Sequence, residues 1–332
     1  MKNKLLRLLL FLFVTGAFAQ ADKVSVLKNE EGARLVVNGK DFMINGMNWD
    51  YIPIGTNTVN AAFWKKPDDV IKAGLDTEMS LLKNMGVNVI RQYTGVPAKW
   101  IRYIYENYGI YTMLNHSFGR YGLTLNGVWT PVTIYDDPVT EEFLMQEMEQ
   151  LVNDYKNTPG LLLYLLGNEN NYGLFWQGAE TEDFPDDEGR INFIGESRGR
   201  PMYRLMNEAA KKMKEIDASH PVAICNGDVL FIDIVAEECK DVDIYGTNTY
   251  RGVSFGDMFQ VVKDKLDMPV MFTEFGADAF NAIENKEDQY SQAYYMVGNW
   301  REIYENAAGK GKVGNSIGGF TFQFSDGWWK FG

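Results

Sequence analysis

Residues 161–170 read Leu-Leu-Leu-Tyr-Leu-Leu-Gly-Asn-Glu-Asn, and residues 269–276 read Pro-Val-Met-Phe-Thr-Glu-Phe-Gly. Each stretch is a continuous apolar run of strand length that ends at a glutamate near a glycine. A run without polar alternation is typical of a strand buried on both faces, as in a parallel sheet covered by helices. A side chain that follows such a strand lies at the rim of the sheet. The two stretches therefore predict that Glu169 and Glu274 share one catalytic face.

The rest of the chain repeats a strand-then-helix pattern around these two stretches. Helix patterns have apolar residues at helical spacing, as in Leu75, Met79, Leu82 and Met85. Asp137-Pro138 predicts a helix start, with an N-cap followed by a first-turn proline. Eight strands are predicted, at residues 42–48, 87–91, 110–114, 161–166, 221–225, 243–248, 270–273 and 318–324.

This alternation predicts an α/β fold in a single domain, a (β/α)8 TIM barrel over residues 42–332. No helix pattern follows the eighth strand, so the last helix of the barrel is apparently missing. Residues 20–41 predict a short N-terminal β-hairpin with its turn at Asn29-Glu-Glu-Gly32, placed to cover the bottom of the barrel.

Residues 1–19 are typical of a signal peptide. Lys2, Lys4 and Arg7 precede an apolar run, and Ala17-Phe18-Ala19 resembles a cleavage site before Gln20. The run is short for a bilayer span. We therefore predict export to the periplasm or the medium, without a membrane anchor.

Composition limits the possible partners and cofactors. The net charge is −13, and removal of residues 1–19, with three basic and no acidic side chains, makes it −16. Such a charge disfavours nucleic acid and anionic membranes as partners. With two histidines and two cysteines, a histidine-built metal site is not predicted, and no cofactor is implied. Aromatic residues reach 14%, which suits either a large core or a sugar-binding cleft.

Two carboxyl groups at the mouth of one barrel predict glycoside hydrolysis. A retaining glycosidase needs a proton donor and a nucleophile about 5–5.5 Å apart. Glu169 follows an apolar strand, which favours the protonated form that a general acid needs. Glu274 must stay ionised as a nucleophile, and Arg91 at the end of the second strand would stabilise its charge.

The motifs around these residues resemble those of glycoside hydrolase family 2, in the large clan of retaining (β/α)8 glycosidases. Gly167-Asn168-Glu169 and Thr273-Glu274-Phe275-Gly276-Ala277-Asp278 are similar to its two signatures. The resemblance implies that Glu169 is the acid/base, Glu274 the nucleophile and Asn168 a ligand of the sugar 2-hydroxyl. It also implies that Arg91 is the clan's second-strand arginine and that Tyr250 of Asn248-Thr-Tyr250 hydrogen-bonds the nucleophile.

Further residues are candidates for contact with an oligo- or polysaccharide substrate. His116 follows the third strand, and the candidate tryptophans are Trp49, Trp176, Trp328 and Trp329. The family's eighth-strand tryptophan aligns with Phe322, so Trp328 or Trp329 is predicted to supply the sugar platform. The layout also resembles fungal-type β-1,3-glucanosyltransferases, which implies a β-glucan substrate.

The sequence leaves three alternative functions to consider. A β-glucan transglycosylase would use the same residues with a sugar acceptor in place of water, and a non-catalytic glycan-binding barrel would use them without turnover. Gly195-Glu-Ser-Arg-Gly199 matches the nucleophile elbow of serine hydrolases, with a weak strand predicted before it at residues 191–194. Only His220 follows it, which disfavours a triad built on Ser197.

Overall fold

The computed structural model describes residues 21–51, 63–93, 95–175, 185 and 187–325. The predicted signal peptide, residues 1–19, lies outside them. The strands are, in chain order, β1 Val24–Asn29, β2 Gly32–Val37, β3 Lys40–Phe42, β4 Ile44–Asn48, β5 Val89–Gln92, β6 Tyr111–His116, β7 Leu123–Leu125, β8 Val128–Thr130, β9 Leu161–Leu166, β10 Val222–Gly227, β11 Ile244–Asn248, β12 Val270–Phe275, β13 Phe280–Asn281, β14 Lys286–Glu287 and β15 Ser316–Thr321.

The helices surround these strands. They are α1 Asp68–Asn84, α2 Ala98–Tyr108, α3 Pro138–Tyr155, α4 Asn170–Gly173, α5 Glu188–Ile194, α6 Arg200–Ile216, α7 Ile232–Glu238, α8 Met258–Leu266 and α9 Gln289–Glu305, with a 3-10 turn at Phe63–Lys65 and a π-helical turn at Gly195–Gly199.

Eight parallel strands close into one barrel, in the order β4, β5, β6, β9, β10, β11, β12 and β15. The sheet closes where β15 pairs with β4, with Gly318 opposite Ile44. This arrangement confirms the predicted single-domain (β/α)8 TIM barrel.

The helices pack their apolar faces on the outside of the barrel. In α1 the buried residues are Ile71, Leu75, Met79 and Leu82, at the spacing that the sequence predicts. Met85, also predicted on this face, is exposed because the helix ends at Asn84. In α3 the Asp137 carboxylate accepts a hydrogen bond from the Thr140 amide, so the predicted N-cap is confirmed.

The N-terminal segment forms three antiparallel strands, one more than the predicted hairpin. The extra strand, β3, follows an Asn38-Gly39 turn with positive φ at both residues, a sequence that favours tight hairpins. Val24, Leu35 and Val37 belong to the core cluster that fills the barrel interior. Complete burial of one such side chain, as for Leu35, stabilises the fold by about 1.5–3 kcal/mol.

The segment after β9 differs from its prediction. Residues 191–194, predicted as a weak strand, belong to helix α5, whose first turn is capped by the Asp187 carboxylate. A helix and a π-helical turn therefore replace the strand and sharp turn of a nucleophile elbow, and the Ser197 hydroxyl donates to the Phe193 carbonyl. Cys225 and Cys239 are both free and buried.

Candidate active site

The turn after β9 sets the position of Glu169. Gly167 has φ +84°, and a Cβ there would lie 2.5 Å from the Asn170 Oδ1 atom. That oxygen accepts a hydrogen bond from the Asn168 amide at 2.8 Å. Glu169 itself has φ +55°, a strained conformation for a residue with a side chain, and its amide donates to the Cys225 carbonyl at 3.0 Å. The backbone therefore turns sharply where the strand ends, and this turn fixes the glutamate at the barrel rim.

Glu274 lies within the last residues of β12 and is 7% exposed. Its Oε1 atom accepts hydrogen bonds from Tyr93 at 2.6 Å and from Arg91 Nη1 at 3.2 Å. Its Oε2 atom accepts a hydrogen bond from the Tyr250 hydroxyl at 2.9 Å. Three donors, one of them cationic, therefore hold both oxygens of this carboxyl group in place.

Arg91 lies at the centre of the site with no exposed surface. Beyond Glu274, its guanidinium donates to Asn115 Oδ1 at 2.9 Å, to Asn168 Oδ1 at 2.8 Å and to the Thr273 carbonyl at 3.1 Å. Burial alone would lower the pKa of Arg91, but its neighbours, Glu274 among them, outweigh burial and hold the pKa above its ordinary value. Arg91 is therefore a permanent positive charge between the strand ends.

The two tyrosine donors stay protonated. Burial raises the pKa of Tyr93 well above its ordinary value; Arg91 opposes this shift and Glu274 adds to it. Burial of the hydroxyl group and the charge of Glu274 likewise raise the pKa of Tyr250, although the residue as a whole is half-exposed. Both hydroxyl groups consequently donate to Glu274 across the ordinary pH range.

Asn248 joins the surroundings of the two glutamates. Its Nδ2 atom donates to Glu169 Oε1 at 3.0 Å and to Asn168 Oδ1 at 3.2 Å. Its Oδ1 atom accepts from the Thr273 hydroxyl at 2.7 Å and lies 3.5 Å from Arg91 Nη1. Glu169 and Glu274 thus border one continuous hydrogen-bond network at the carboxyl ends of the strands.

Five of the predicted site residues meet in this network: Glu169, Glu274, Arg91, Asn168 and Tyr250. Asn168 uses its amide oxygen for Arg91 and its Nδ2 for the Tyr121 hydroxyl at 2.9 Å. The expected contact of Asn168 with a sugar hydroxyl stays a prediction.

Trp49, predicted to contact sugar, lies in the core. Its side chain is 1% exposed, it packs against Phe63 and Trp64, and its indole N–H donates to Glu78 of α1. Burial raises the pKa of Glu78, and the hydrogen bond from Trp49 partly offsets that shift. The structure thus corrects Trp49 to a packing residue, because strand alternation turns it away from the face that carries Asn48.

His116 is the last residue of β6, and both of its ring nitrogens contact groups of the protein. Nδ1 accepts a hydrogen bond from the Phe118 amide, and Nε2 lies 3.4 Å from Glu147 of α3. These contacts tie His116 to the loop and to a helix. The other predicted contacts, Trp176, Trp328 and Trp329, lie outside the described residues.

Several site residues were not predicted. Tyr93 follows Arg91 by two positions, so the period of a strand places both on one side, and the guanidinium lies 4.4 Å from the centre of the Tyr93 ring. Asn48 and Asn115 each lie at or near the carboxyl end of a barrel strand, which is the signal that could have found them. Phe322, which aligns with the family's eighth-strand tryptophan, is half-buried, and its ring lies edge-on to Tyr250.

Within the ranges that the structure describes, no group of three or more histidine, cysteine, aspartate or glutamate side chains is placed to hold a metal ion. A helix long and apolar enough to cross a membrane is likewise absent from those ranges.

A family model described as "Glycosyl hydrolases family 2, TIM barrel domain" matches residues 28–318. None of the curated proteins matches the chain.

Solved structures share the barrel. A GH2 β-galacturonidase from Eisenbergiella tayi bound to galacturonate has a TM-score of 0.60 and 15% identity, over 91% of this chain and 47% of that chain. A Bacteroides uniformis β-glucuronidase has a TM-score of 0.62 and 14% identity, over 89% and 32%. The agarase AgWH50C has a TM-score of 0.59 and 13% identity, over 91% and 57%. At such identities the similarity shows the fold alone, and this chain spans less than two thirds of each of these proteins.

Proposed function

The chain belongs to glycosyl hydrolases family 2, whose TIM barrel domain matches residues 28–318, and on that premise we propose that it is a retaining β-glycosidase acting on a β-linked glycan. The observation that carries the proposal is the buried Arg91, which contacts Glu274 directly and Asn168, the neighbour of Glu169, through the same guanidinium. A charge this deep in the site suits a carboxylate that must stay ionised until it attacks carbon.

The mechanism is a double displacement. Glu274 attacks the anomeric carbon through a carboxylate oxygen while Glu169 gives its proton to the glycosidic oxygen, so the carbon–oxygen bond breaks and a glycosyl ester forms. Glu169, now a base, takes a proton from water, and the water oxygen replaces Glu274 on the carbon. The two tyrosine hydroxyls and Arg91 hold Glu274 in one orientation throughout.

For the substrate we propose a β-glucan. The resemblance of the motifs at Arg91, Glu169, Tyr250 and Glu274 to those of β-1,3-glucanosyltransferases supports this choice. The similar solved structures are described as a β-galacturonidase, a β-glucuronidase and an agarase, so uronides and agarose belong in the same screen. The protein would meet its polymer outside the cytoplasm, because residues 1–19 have the pattern of a cleaved export signal.

The test compares the wild-type protein with Glu274→Gln and Glu169→Ala on laminarin, mixed-linkage β-glucan, mannan, agarose, and aryl β-glucosides, galacturonides and glucuronides. We expect Glu274→Gln to lose several orders of magnitude in kcat on every substrate that the wild type cleaves. Glu169→Ala should retain more activity on aryl glycosides with acidic leaving groups, because those need no proton. The anomer of the first product, followed by NMR, should be β.

A surface glutamate supplies the control. Glu149 of α3 pairs with Lys212, and Glu149→Gln should leave every rate unchanged. An α first product would contradict retention. Turnover that survives Glu274→Gln would contradict the assigned nucleophile, and a wild type that binds glycans without turnover would be a binding barrel.

A further inference from the structure

A cavity of about 540 Å³ lies beside the candidate active site. It is bounded by the loop that carries β7 and β8 and by residues of α4, α5 and α6. Its volume falls within the roughly 300–1,000 Å³ typical of small-molecule sites. Its lining includes Gly119, Arg120, Tyr121, Trp129, Tyr135 and Asn170. None of the residues assigned to the double displacement lines it.

Large apolar side chains surround this cavity yet are open to solvent. Trp129 is 59% exposed, Phe193 is 69% exposed, Ile134 is 57% exposed and Tyr121 is 46% exposed. Trp129 comes from β8 and Phe193 from α5, so separate elements place apolar groups around one opening. Apolar side chains grouped in this way mark a surface that binds something.

The cavity is continuous with the turn that carries Glu169. Tyr121 accepts a hydrogen bond from Asn168 Nδ2 at 2.9 Å, and Arg120 Nε donates to the Asn168 carbonyl at 2.9 Å. Asn170 lines the cavity from the other side of Glu169. The residues immediately before and after the proposed proton donor therefore connect to the cavity, and the amide oxygen of Asn168 also accepts a hydrogen bond from Arg91.

We propose that this cavity binds the sugar units of the leaving group, so that the enzyme acts on a chain longer than a disaccharide. The proposal rests on the assignment of Glu169 as proton donor, because the donor lies on the side of the bond where the leaving sugar departs. A pyranose has an apolar C–H face and a rim of hydroxyls. Trp129 and Phe193 offer rings for the C–H face. The same cavity is lined by polar side chains that can hydrogen-bond the sugar hydroxyls, namely those of Asp136, Ser197 and Arg198.

The experiment compares binding and turnover of laminari-oligosaccharides of two and six units, or of the matching series of whichever glycan the wild type cleaves best. We expect Trp129→Ala to lower kcat/KM for the long oligosaccharide roughly tenfold or more, since a sugar face loses its apolar partner. An aryl β-glycoside does not fill the cavity and should keep its kcat/KM. In the Glu274→Gln background, calorimetry should show the same loss of affinity for the long oligosaccharide only.

Two further variants separate this effect from a folding defect. Phe193→Ala removes a ring from another element and should give the same length-dependent loss. Tyr294→Ala removes from α9 an aromatic side chain that is 59% exposed, as Trp129 is. This control should leave kcat/KM unchanged for both short and long substrates. Equal losses of kcat/KM for short and long substrates would overturn the proposal. An unchanged kcat/KM for the long substrate in both Trp129→Ala and Phe193→Ala would overturn it as well.

Failure of the proposed function gives a different result. If the wild type turns over no glycan but Glu274→Gln binds long oligosaccharides through Trp129, the cavity binds sugar and the enzyme assignment fails. If the wild type cleaves glycans with no dependence on Trp129 or Phe193, the enzyme assignment stands and the cavity does not hold substrate. Self-association that is lost in Trp129→Ala without any sugar effect would instead make this surface a protein contact.

Discussion

At the scale of single residues, the surroundings of Glu274 have more donors than the motifs predict. Arg91 and Tyr250 were expected from the resemblance to known glycosidases, and Tyr93 adds a third hydrogen bond of 2.6 Å to the same carboxylate. The Tyr93 hydroxyl oxygen also lies 2.9 Å from Asn48 Oδ1, so Tyr93 brings the first two barrel strands close to the proposed nucleophile on the seventh.

Replacement of Tyr93 by phenylalanine should lower kcat roughly ten- to hundredfold with little change in KM. The hydroxyl orients a charged oxygen, and a hydrogen bond to a charged group contributes about 1.5–3 kcal/mol. Tyr103→Phe is the control, because it removes a similar tyrosine–carboxylate hydrogen bond, to Asp76, far along the surface of α1 and α2. Steady-state rates on the best substrate would check it, and an unchanged kcat in Tyr93→Phe would contradict the role.

At the scale of elements, the predicted strands came from their uninterrupted apolar runs. All six residues of β9 and all six of β12 are buried, which agrees with the absence of polar alternation in their sequences. The short helix α5 was not predicted, because the four residues Ile191 to Ile194 are too few to distinguish the strand period of two from the helix period of 3.6. Its signal was the capping aspartate, Asp187, rather than its apolar residues.

The site could be predicted in part for the same reason. Residues that terminate buried strands, such as Arg91 and Glu274, are visible as polar groups after apolar runs. Contacts between loops are not visible in this way, because Tyr121 meets Asn168 only through the course of the loop after β6. The period of two also explains the error at Trp49, one position beyond the inward-facing Asn48.

The turn after β9 should be sensitive to a single added carbon. Gly167→Ala meets both a positive φ and a contact of 2.5 Å with Asn170, whereas Gly39→Ala, at φ +79°, has nothing within 4 Å. We expect Gly39→Ala to cost about 1–2 kcal/mol of free energy of unfolding from backbone strain alone, and Gly167→Ala about 1–2 kcal/mol more. Urea unfolding would measure both, and equal losses would show that the Asn170 contact costs nothing.

At the scale of the whole molecule, buried tyrosines tie stability to pH. Burial raises the pKa of Tyr135, Tyr203 and Tyr245 above the ordinary value, and each hydroxyl is hydrogen-bonded inside the fold. Above about pH 10 the unfolded chain therefore holds fewer protons than the folded one. Their contribution to stability is complete below that pH and is lost as pH rises further.

We expect the free energy of unfolding to fall above about pH 10 by roughly 1.4 kcal/mol per pH unit for each such tyrosine. Urea unfolding at pH 9, 10 and 11, with tyrosinate absorbance followed in parallel, would measure it. Tyr245→Phe should reduce the slope by the share of one tyrosine. Tyrosinate signals from all tyrosines of the folded protein near pH 10 would contradict the prediction.

The closure of the barrel through β15 and β4 has a consequence for the order of synthesis. Ile44 pairs with Gly318, so more than 270 further residues must be synthesised before the first barrel strand obtains its second neighbour. The N-terminal sheet also lacks one of its contacts until then, because the Ala33 amide donates to the carbonyl of Gly314, which lies just before β15. Until then the nascent chain presents two open sheet edges and an uncovered apolar interior, which is the kind of surface that chaperones protect.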